Sequence, residues 1–429
     1  MARNKYNSTT TIRVVCAIVF LIFVFSYVFC YQSDVLALAQ HIWSGGETHY
    51  NDTVGAILIT VVLFIIQLGV SAAVRLPHRA YAVSFAPSLI LLGVLSSASL
   101  QADSSMSIGF WAVVALFLLL GVGFAIKLLS DYASCESPLH GISIVSSQAA
   151  WYNYGLLAVF MFVTFCMGNN DRKLHAQLKL ERCTMNRYYS DALDVAPLES
   201  NASITLVRAY ALSRRGELGE RLFEYPLSGG SRALLPSKDA SIRTLLMPDS
   251  LIWRNLGGYP RKEVKNVRHF LRILQQNNVA RPSVDDYMLT SYLLDRDLLG
   301  FAKEAVKIYD FRTQQEKDEE MEIIEKKRKR LARIIGEKEA ADSIRPVVRL
   351  SPTGCELKSL DSIPKHFQEA LVLYTHLHSQ RVLTYTNSAM DVDYEDFLKV
   401  LRSKKKSKAE YDNALKSAYF GTYWWYYYK

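Results

Sequence analysis

Residues 54–74 read VGAILITVVLFIIQLGVSAAV, without one Asp, Glu, Lys, Arg or His. A helix rises about 1.5 Å per residue, so this stretch covers the roughly 30 Å hydrocarbon core of a bilayer. Working outward, four more runs share its character: Val14–Tyr31, Tyr81–Ser99, Ile108–Ile126 and Ala149–Met167. The last opens with Trp151, Tyr152 and Tyr154, aromatics that suit the headgroup layer. The first is longer than the apolar core of a signal peptide, and the small-residue triplet Ala37-Leu38-Ala39 lies well beyond its end, so it reads as a retained helix. The core of a soluble protein rarely supplies five such runs in succession. The pattern predicts a transmembrane domain over residues 1–169, with helices near 14–31, 54–74, 81–99, 108–126 and 149–167.

Charge divides the chain at the same place. The first 169 residues hold six of the 50 Lys and Arg and six of the 41 Asp and Glu, so the whole net charge of +9 lies behind them. Within the front part, Arg3, Lys5 and Arg13 precede the first run, Arg75 and Arg79 separate the second from the third, and Lys127 ends the fourth. The loops 32–53 and 100–107 contain no Lys or Arg. Positive residues stay on the cytoplasmic side, which puts the N-terminus inside and, after five crossings, residues 170–429 outside. Arg172, Lys173 and Lys179 run against this orientation.

Behind Gly168 the apolar residues recur at helical spacing between charged ones. Leu174 and Leu178 lead through Asn186-Arg187 to Tyr188, Tyr189, Ala192 and Val195. Ile204, Val207, Ala211 and Leu212 stop at Gly216 and resume at Leu218, Leu222 and Phe223. Tyr287, Tyr292 and Leu293 pass through Asp295-Arg296-Asp297 into Phe301, Ala302 and Val306, and the period continues through Phe367–Leu377 and Tyr394–Leu401. A lone helical hairpin cannot bury its apolar face, whereas stacked hairpins can. The expected fold class is therefore all-α: a five-helix membrane bundle followed by a helical-repeat, tetratricopeptide-like domain over 170–429, with units of uneven length. A joint rich in Pro and Gly, residues 226–260, interrupts it. Ser228-Gly229-Gly230-Ser231 lies there and lacks the Lys-Ser/Thr ending of a phosphate loop.

Candidate sites are few. The outer loop gathers His41, Glu47, His49, Tyr50, Asn51 and Asp52, residue types that bind metals or polar substrates, but at no standard ligand spacing; a turn capped by Asn51 or Asp52 is the simpler account. His376 and His378 point to opposite sides of a helix and cannot share an ion. No hydrolase, metalloprotease or dinucleotide motif occurs, so no residue takes a catalytic role and no metal or cofactor is expected. Of the six cysteines only Cys183 and Cys355 would share an oxidising exterior, as a disulfide or as two thiols. Glu316–Glu339 reads as a long exposed helix with acid preceding base, its centre Lys326–Arg330 able to meet anionic lipid; Lys404–Lys406 is a weaker case. The end, Tyr423-Trp424-Trp425-Tyr426-Tyr427-Tyr428, is too aromatic for a free tail and must pack on the domain or enter the membrane interface.

The phrases Leu218–Pro226 (LGERLFEYP), Pro364–Tyr374 (PKHFQEALVLY) and Gln40–Asn51, together with the Tyr/Trp-rich end, resemble an uncharacterised family of bacterial multi-pass inner-membrane proteins with a helical-repeat tail. That resemblance implies an inner-membrane protein with a periplasmic domain and supplies no activity. Two functions remain in view. One is a membrane-anchored periplasmic scaffold that binds an envelope protein or peptide, with the lipid bilayer as its other partner and no nucleic acid. The alternative is a transporter or membrane enzyme with a site at the 32–53 loop and adjoining helices.

Overall fold

The computed structural model describes residues 7–74, 76–77, 79–100, 106–107, 109–133, 148–237, 242–335, 348–378, 382–402 and 408–429. Arg3, Lys5, Arg75, Cys135 and Lys404–Lys406 lie outside the described residues. Among the described residues the regular structure is helical but for two short strands, and the chain forms two compact units, Met1–Leu178 and Lys179–Lys429. The seam falls inside a helix, α7 (Arg172–Met185), a few residues beyond the change of composition.

The first unit contains α1 (Asn7–Ser26, continued by a π-helical turn Tyr27–Tyr31), α2 (Ser33–Trp43), α3 (Asp52–Ala73), α4 (Ala86–Ser96), α5 (Gly109–Ala133) and α6 (Gln148–Met167). Among the described residues four helical stretches are long and apolar enough to cross a membrane: Thr10–Tyr31, Asp52–Ala73, Trp111–Leu128 and Gln148–Met167. The third apolar run of the sequence gives a shorter element, Tyr81–Ser96. It opens as a 3-10 turn, Tyr81–Phe85, because Pro87 lacks the N–H that an interior helical position would need and so sits in the first turn of α4. Beyond Ser96 the chain pairs Ser99–Leu100 with Met106–Ser107 as two short antiparallel strands.

Hydrogen bonds fix the directions of these helices. The Ala82 N–H donates to Asn153 Oδ1 at 2.7 Å, Thr164 Oγ1 to the Leu89 carbonyl at 3.0 Å, and the Asn169 N–H to the Ser96 carbonyl at 2.9 Å. Helix α4 thus runs parallel to α6 from the level of Asn153 to that of Asn169. Tyr27 Oη meets Ser96 Oγ at one end, and the Arg13 guanidinium lies over the Tyr81 ring at the other, so α1 is parallel to both. Helix α3 runs the opposite way, with Gln67 bonded to Tyr81 and Ser84 and the Leu63 carbonyl accepting from Ser88. Ile57, Leu58, Val61 and Ile65 on α3 are exposed, as are Ile18 and Ile22 on α1, Phe117, Leu120 and Phe124 on α5, and Phe162 on α6; α4 exposes only Leu91. The long helices present apolar flanks while the short one is sheltered among them.

In the second unit two of the predicted pairs pack together, α9 (Ala202–Arg215) with α10 (Leu218–Arg221) and α13 (Ser283–Leu294) with α14 (Leu298–Ile308); in the third, α7 leads through a turn into α8 (Tyr189–Asp194), which packs on α9. Between α10 and α13 lie α11 (Ser250–Leu256) and α12 (Val267–Gln276); α15 (Gln314–Ile335), α16 (Lys365–Leu377), α17 (Ser388–Arg402), α18 (Lys408–Tyr419) and α19 (Tyr423–Tyr428) follow. The three pairs share one turn. A left-handed residue, Arg187, Gly216 or Arg296, donates its N–H to the carbonyl three residues back, and the next N–H reaches five residues back. This double bond satisfies carbonyls that a helix end leaves unpaired. The second helix of each pair then begins two residues after the left-handed one. Cys183 and Cys355 are not joined by a disulfide.

Candidate functional site

The 32–53 stretch, first among the sequence candidates and expected to be a loop, is helical over Ser33–Trp43, which carries His41, and the part behind that helix closes on itself. Gly45 and Gly46 both take positive φ after α2, and the Gly46 N–H donates to the His41 carbonyl at 2.8 Å. Gln40 Nε2 donates to Thr48 Oγ1, and the Thr48 N–H to Ser44 Oγ. Asn51 Oδ1 accepts from the N–H groups of Thr53 and Val54, both at 3.1 Å, and so caps α3. The Tyr50 ring lies where a side chain on Gly55 would be. Among the described residues no three His, Cys, Asp or Glu side chains gather as metal ligands, so His41, Glu47, His49 and Asp52 form no such set.

Where α1, α4 and α6 end together, the structure assembles a polar junction that the sequence did not announce. The π turn Tyr27–Tyr31 widens the end of α1 and turns both tyrosines and Gln32 toward the partner helices. Such turns are frequent at functional positions. Fully buried Gln32 donates through Nε2 to Tyr27 Oη at 3.3 Å and to the Asn169 carbonyl at 3.1 Å. Asn169 Nδ2 donates to the Ala98 carbonyl, Tyr31 Oη to Asn170 Oδ1, and the His175 ring stacks on Tyr31 with Nε2 2.9 Å from the Asn169 carbonyl. Gly168 stands so close that an added Cβ would collide with Tyr27 Oη and lie 3.0 Å from Gln32 Nε2. The side chains named here are amides, hydroxyls and one imidazole, and Asp171 adjoins them, its N–H donating to Asn169 Oδ1 at 2.9 Å.

The aromatic end belongs to the second unit's core. The Tyr423 N–H donates to Glu369 Oε2 at 2.6 Å, Trp424 Nε1 to the Glu369 carbonyl at 2.8 Å, and Tyr426 Oη to the Leu294 carbonyl at 2.7 Å. Glu369 Oε2 also meets His366 Nδ1 at 2.9 Å, with both side chains buried. Burial pushes the Tyr423 and Tyr426 phenols above their ordinary range. Tyr423 and Trp424 are thus packed on the domain. Trp425 and Tyr428 differ from Tyr423 and Trp424: with Phe397, Leu401, Asp412, Leu415 and Lys416 they line a cleft of about 640 Å³ among α17, α18 and α19. Lys429 Nζ lies 4.5 Å from the Trp425 ring centre within it.

Ser228–Ser231 does receive an anion, from this chain itself. The Ser231 N–H and Oγ donate to Asp295, which Arg268 also grips. His376 pairs with Asp391 and His378 stacks on Tyr374, so neither joins the other. A buried guanidinium, Arg208, stacks over Tyr225, and burial lowers its pKa to about 10. Among the described residues its Nε and Nη1 have no acceptor.

These features define a class: an all-helical protein with apolar helices of membrane-spanning length, a helical C-terminal unit and an aromatic cleft. Residues 104–260 and 344–429 match a family of unknown function, DUF6057, and the chain belongs to that family. Neither the curated proteins nor the solved structures contain a match. The family match includes Leu218–Pro226, Pro364–Tyr374, Asn169 and the aromatic end, but not the 32–53 loop.

Proposed function

We propose that this protein is a membrane-anchored scaffold of the bacterial inner membrane whose C-terminal unit binds an envelope protein or peptide. The cleft among α17, α18 and α19 carries the reading. Leu401, Trp425 and Tyr428, backed by the buried Phe397 and Leu415, offer apolar and aromatic surface, with Asp412, Asn413, Lys416 and Lys429 beside it for orientation. Clefts of this make-up serve as anchor points for large side chains of a partner. The two packed hairpins, and the turn they share with α7 and α8, favour a tetratricopeptide-like array behind it, although the units are unevenly spaced.

In this proposal the chain crosses the bilayer five times, with α4 as the third pass and the C-terminal unit in the periplasm. What supports five is that α4 runs beside α6 over its level from Asn153 to Asn169, about 24 Å at helical rise. A locally thinned bilayer accommodates that length. Basic residues at the start of α1 and between α3 and α4 favour the cytoplasm for those ends.

Two measurements test the reading. A photo-crosslinking residue at Leu401 or Trp425 of the full-length protein in living cells should yield a discrete protein adduct that Phe397→Ala diminishes; lipid adducts alone would remove the scaffold. A periplasm-dependent reporter enzyme fused after Lys429 should be active, and activity confined to the cytoplasm would overturn the compartment and the five-pass count. The rival site at the outer loop predicts loss of activity in His41→Ala/His49→Ala; the scaffold predicts that the Leu401 adduct survives that change.

A further inference from the structure

The stretch from α11 to the start of α13 carries most of the chain's net charge. Residues 250–284 hold seven Lys and Arg against a single acid, Glu263, and so supply six of the net +9. Packing lays part of this charge along one strap. The Trp253 ring on α11 meets the Phe270 ring on α12 at 5.5 Å, and a Cβ on Gly258 would touch Leu274. The two helices therefore advance in the same direction, and the chain between them, residues 259–266, doubles back across the surface. On this strap Tyr259 is 59% exposed, and Arg261, Lys262, Glu263 and Lys265 are exposed beside it. Each end of the strap gains one more exposed cation. The Arg281 N–H donates to the Leu256 carbonyl at 3.1 Å, close to where the strap leaves Gly258, and Arg232 shares a small recess with Lys265 and Glu263. Arg268, one turn into α12, is held by Asp295, but among the described residues Arg232, Arg261, Lys262, Lys265 and Arg281 make no ion pair.

Five uncompensated cations with one acid among them call for an anionic partner. The form of the surface decides which. The recess at Arg232 and Lys265 encloses about 200 Å³, below the roughly 300–1,000 Å³ of clefts that seat large groups, so it gives a protein partner no anchor. A free phosphate needs donors converging on one point, whereas these cations are strung out along a loop and at both its ends. A sheet of headgroups meets both conditions, being flat and carrying many anions. Tyr259 adds to the match, because an aromatic ring with a polar tip between cations settles in the headgroup layer. We propose that the strap 259–265, with Arg232 and Arg281, docks the second unit on anionic phospholipid headgroups of the bilayer in which the chain is anchored. The inference rests on the anchoring half of the proposed function and is independent of the aromatic cleft. Each Lys or Arg brought to such a surface strengthens attachment about fivefold, and the anchor supplies the proximity that so small a patch lacks alone.

Photo-crosslinking in lipid nanodiscs tests this. The full-length protein, with a benzoylphenylalanine at Tyr259, is placed in discs of equal parts phosphatidylcholine and phosphatidylglycerol, and its adducts are weighed by mass spectrometry. Phosphatidylglycerol adducts should exceed phosphatidylcholine adducts by about fivefold or more. The triple change Arg261→Gln/Lys262→Gln/Lys265→Gln should cut the phosphatidylglycerol adduct by about tenfold or more, with an unchanged melting transition because all three side chains are exposed. Added sodium chloride should weaken the adduct in the chain that keeps its charges, which tests the same attraction without any variant. Inorganic phosphate at fixed ionic strength should leave it unchanged. Equal adducts with the two lipids, no lipid adduct at all, or indifference to both salt and the triple change would each overturn the proposal. Loss of the adduct to inorganic phosphate would overturn it in favour of a free anion, and a discrete protein adduct at Tyr259 in cells, in place of lipid, in favour of an acidic protein. The crosslinker at Leu401 reports on the cleft separately. A protein adduct there without a lipid adduct at Tyr259 would remove the docking surface and leave the scaffold, whereas the reverse pair of results supports the docking surface and removes the scaffold.

Discussion

The two units bury polar side chains in opposite ways. In the first, the buried polar residues described are Gln32, Ser33, Thr60, Gln67, Ser84, Ser88, Ser96, Ser97, Asn153, Thr164 and Gln177, every one uncharged. In the second, Glu181, Arg208, Asp285, Glu304, His366 and Glu369 are buried beside the neutral ones. An ion stripped of water costs several kcal/mol unless it is paired or hydrogen-bonded, and amides and hydroxyls cost much less. The first unit therefore joins its helices with groups that have no charge to lose. The second unit uses ions to pin loops: Glu181 Oε2 accepts from three consecutive N–H groups, Leu245, Leu246 and Met247, at 2.8, 2.6 and 3.0 Å.

The largest way to sharpen the contrast is to delete one of these ions. Glu181→Ala leaves two buried N–H groups and one half-buried one without their acceptor and should destabilise the second unit by about 3–5 kcal/mol in denaturant melts, with Glu181→Gln losing less. An equal loss for Gln67→Leu in α3 would erase the contrast, because interhelical bonds of this kind average under about 1 kcal/mol in membrane proteins. Next in size is Gly168→Ala. Its Cβ cannot share space with Tyr27 Oη, and overpacking of a fitted junction costs about 1–3 kcal/mol. The additional change Tyr27→Phe removes the colliding hydroxyl and should recover part of the loss. No recovery in a thermal melt of the purified protein in detergent would mean that the junction is not as tight as its geometry states.

Arg208 tests the other side of the comparison. It is an ion that its unit has not fully paired, so an apolar replacement relieves a cost. Arg208→Leu should be neutral or raise stability, by up to about 4 kcal/mol. A clear loss would show that the stack on Tyr225 and the weak bond from Nη2 to the Ala196 carbonyl outweigh desolvation.

How much of this was legible in the sequence follows from range. Apolar runs are local, and they located the long helices of the first unit but not α2, which lies in the stretch read as a loop; Gly216 marked its turn because its residue type suits positive φ. Arg187 and Arg296 gave no such sign, although the same pair of hydrogen bonds closes their turns. The third apolar run overstated its helix, since Ser97 and Ser99 continue its composition beyond the point where the backbone leaves the helix. The junctions were invisible for a different reason. Gln32 reaches Asn169, Glu181 reaches Leu245, and Glu369 reaches Tyr423, and nothing in a pattern of period 3.6 relates residues so far apart. The aromatic end was visible as something tied down, but not as a segment divided between core and cleft.

A final, smaller test compares two carboxylates within the second unit. Hydrogen bonds from Arg312 hold Asp310 down to a pKa of about 2, whereas burial raises Asp285 despite its bonds from Thr353 and Ser351. A depressed carboxylate binds its proton less tightly in the folded protein than in the unfolded one. Asp310 therefore contributes stability above its ordinary value near 4, and that contribution drains away as the pH falls toward about 2. Asp285 has the reverse sign: its contribution is present in acid and is lost as the pH rises through its raised pKa. Asp310→Asn should thus flatten the acid limb of a stability–pH profile and cost about 0.5–1 kcal/mol at neutral pH, the scale of a partly exposed ion pair. Asp285→Asn should do its work at the other end, leaving the acid limb in place and reducing the decline toward neutrality. Identical profiles for the two variants would mean that pairing and burial do not divide these carboxylates as their surroundings indicate.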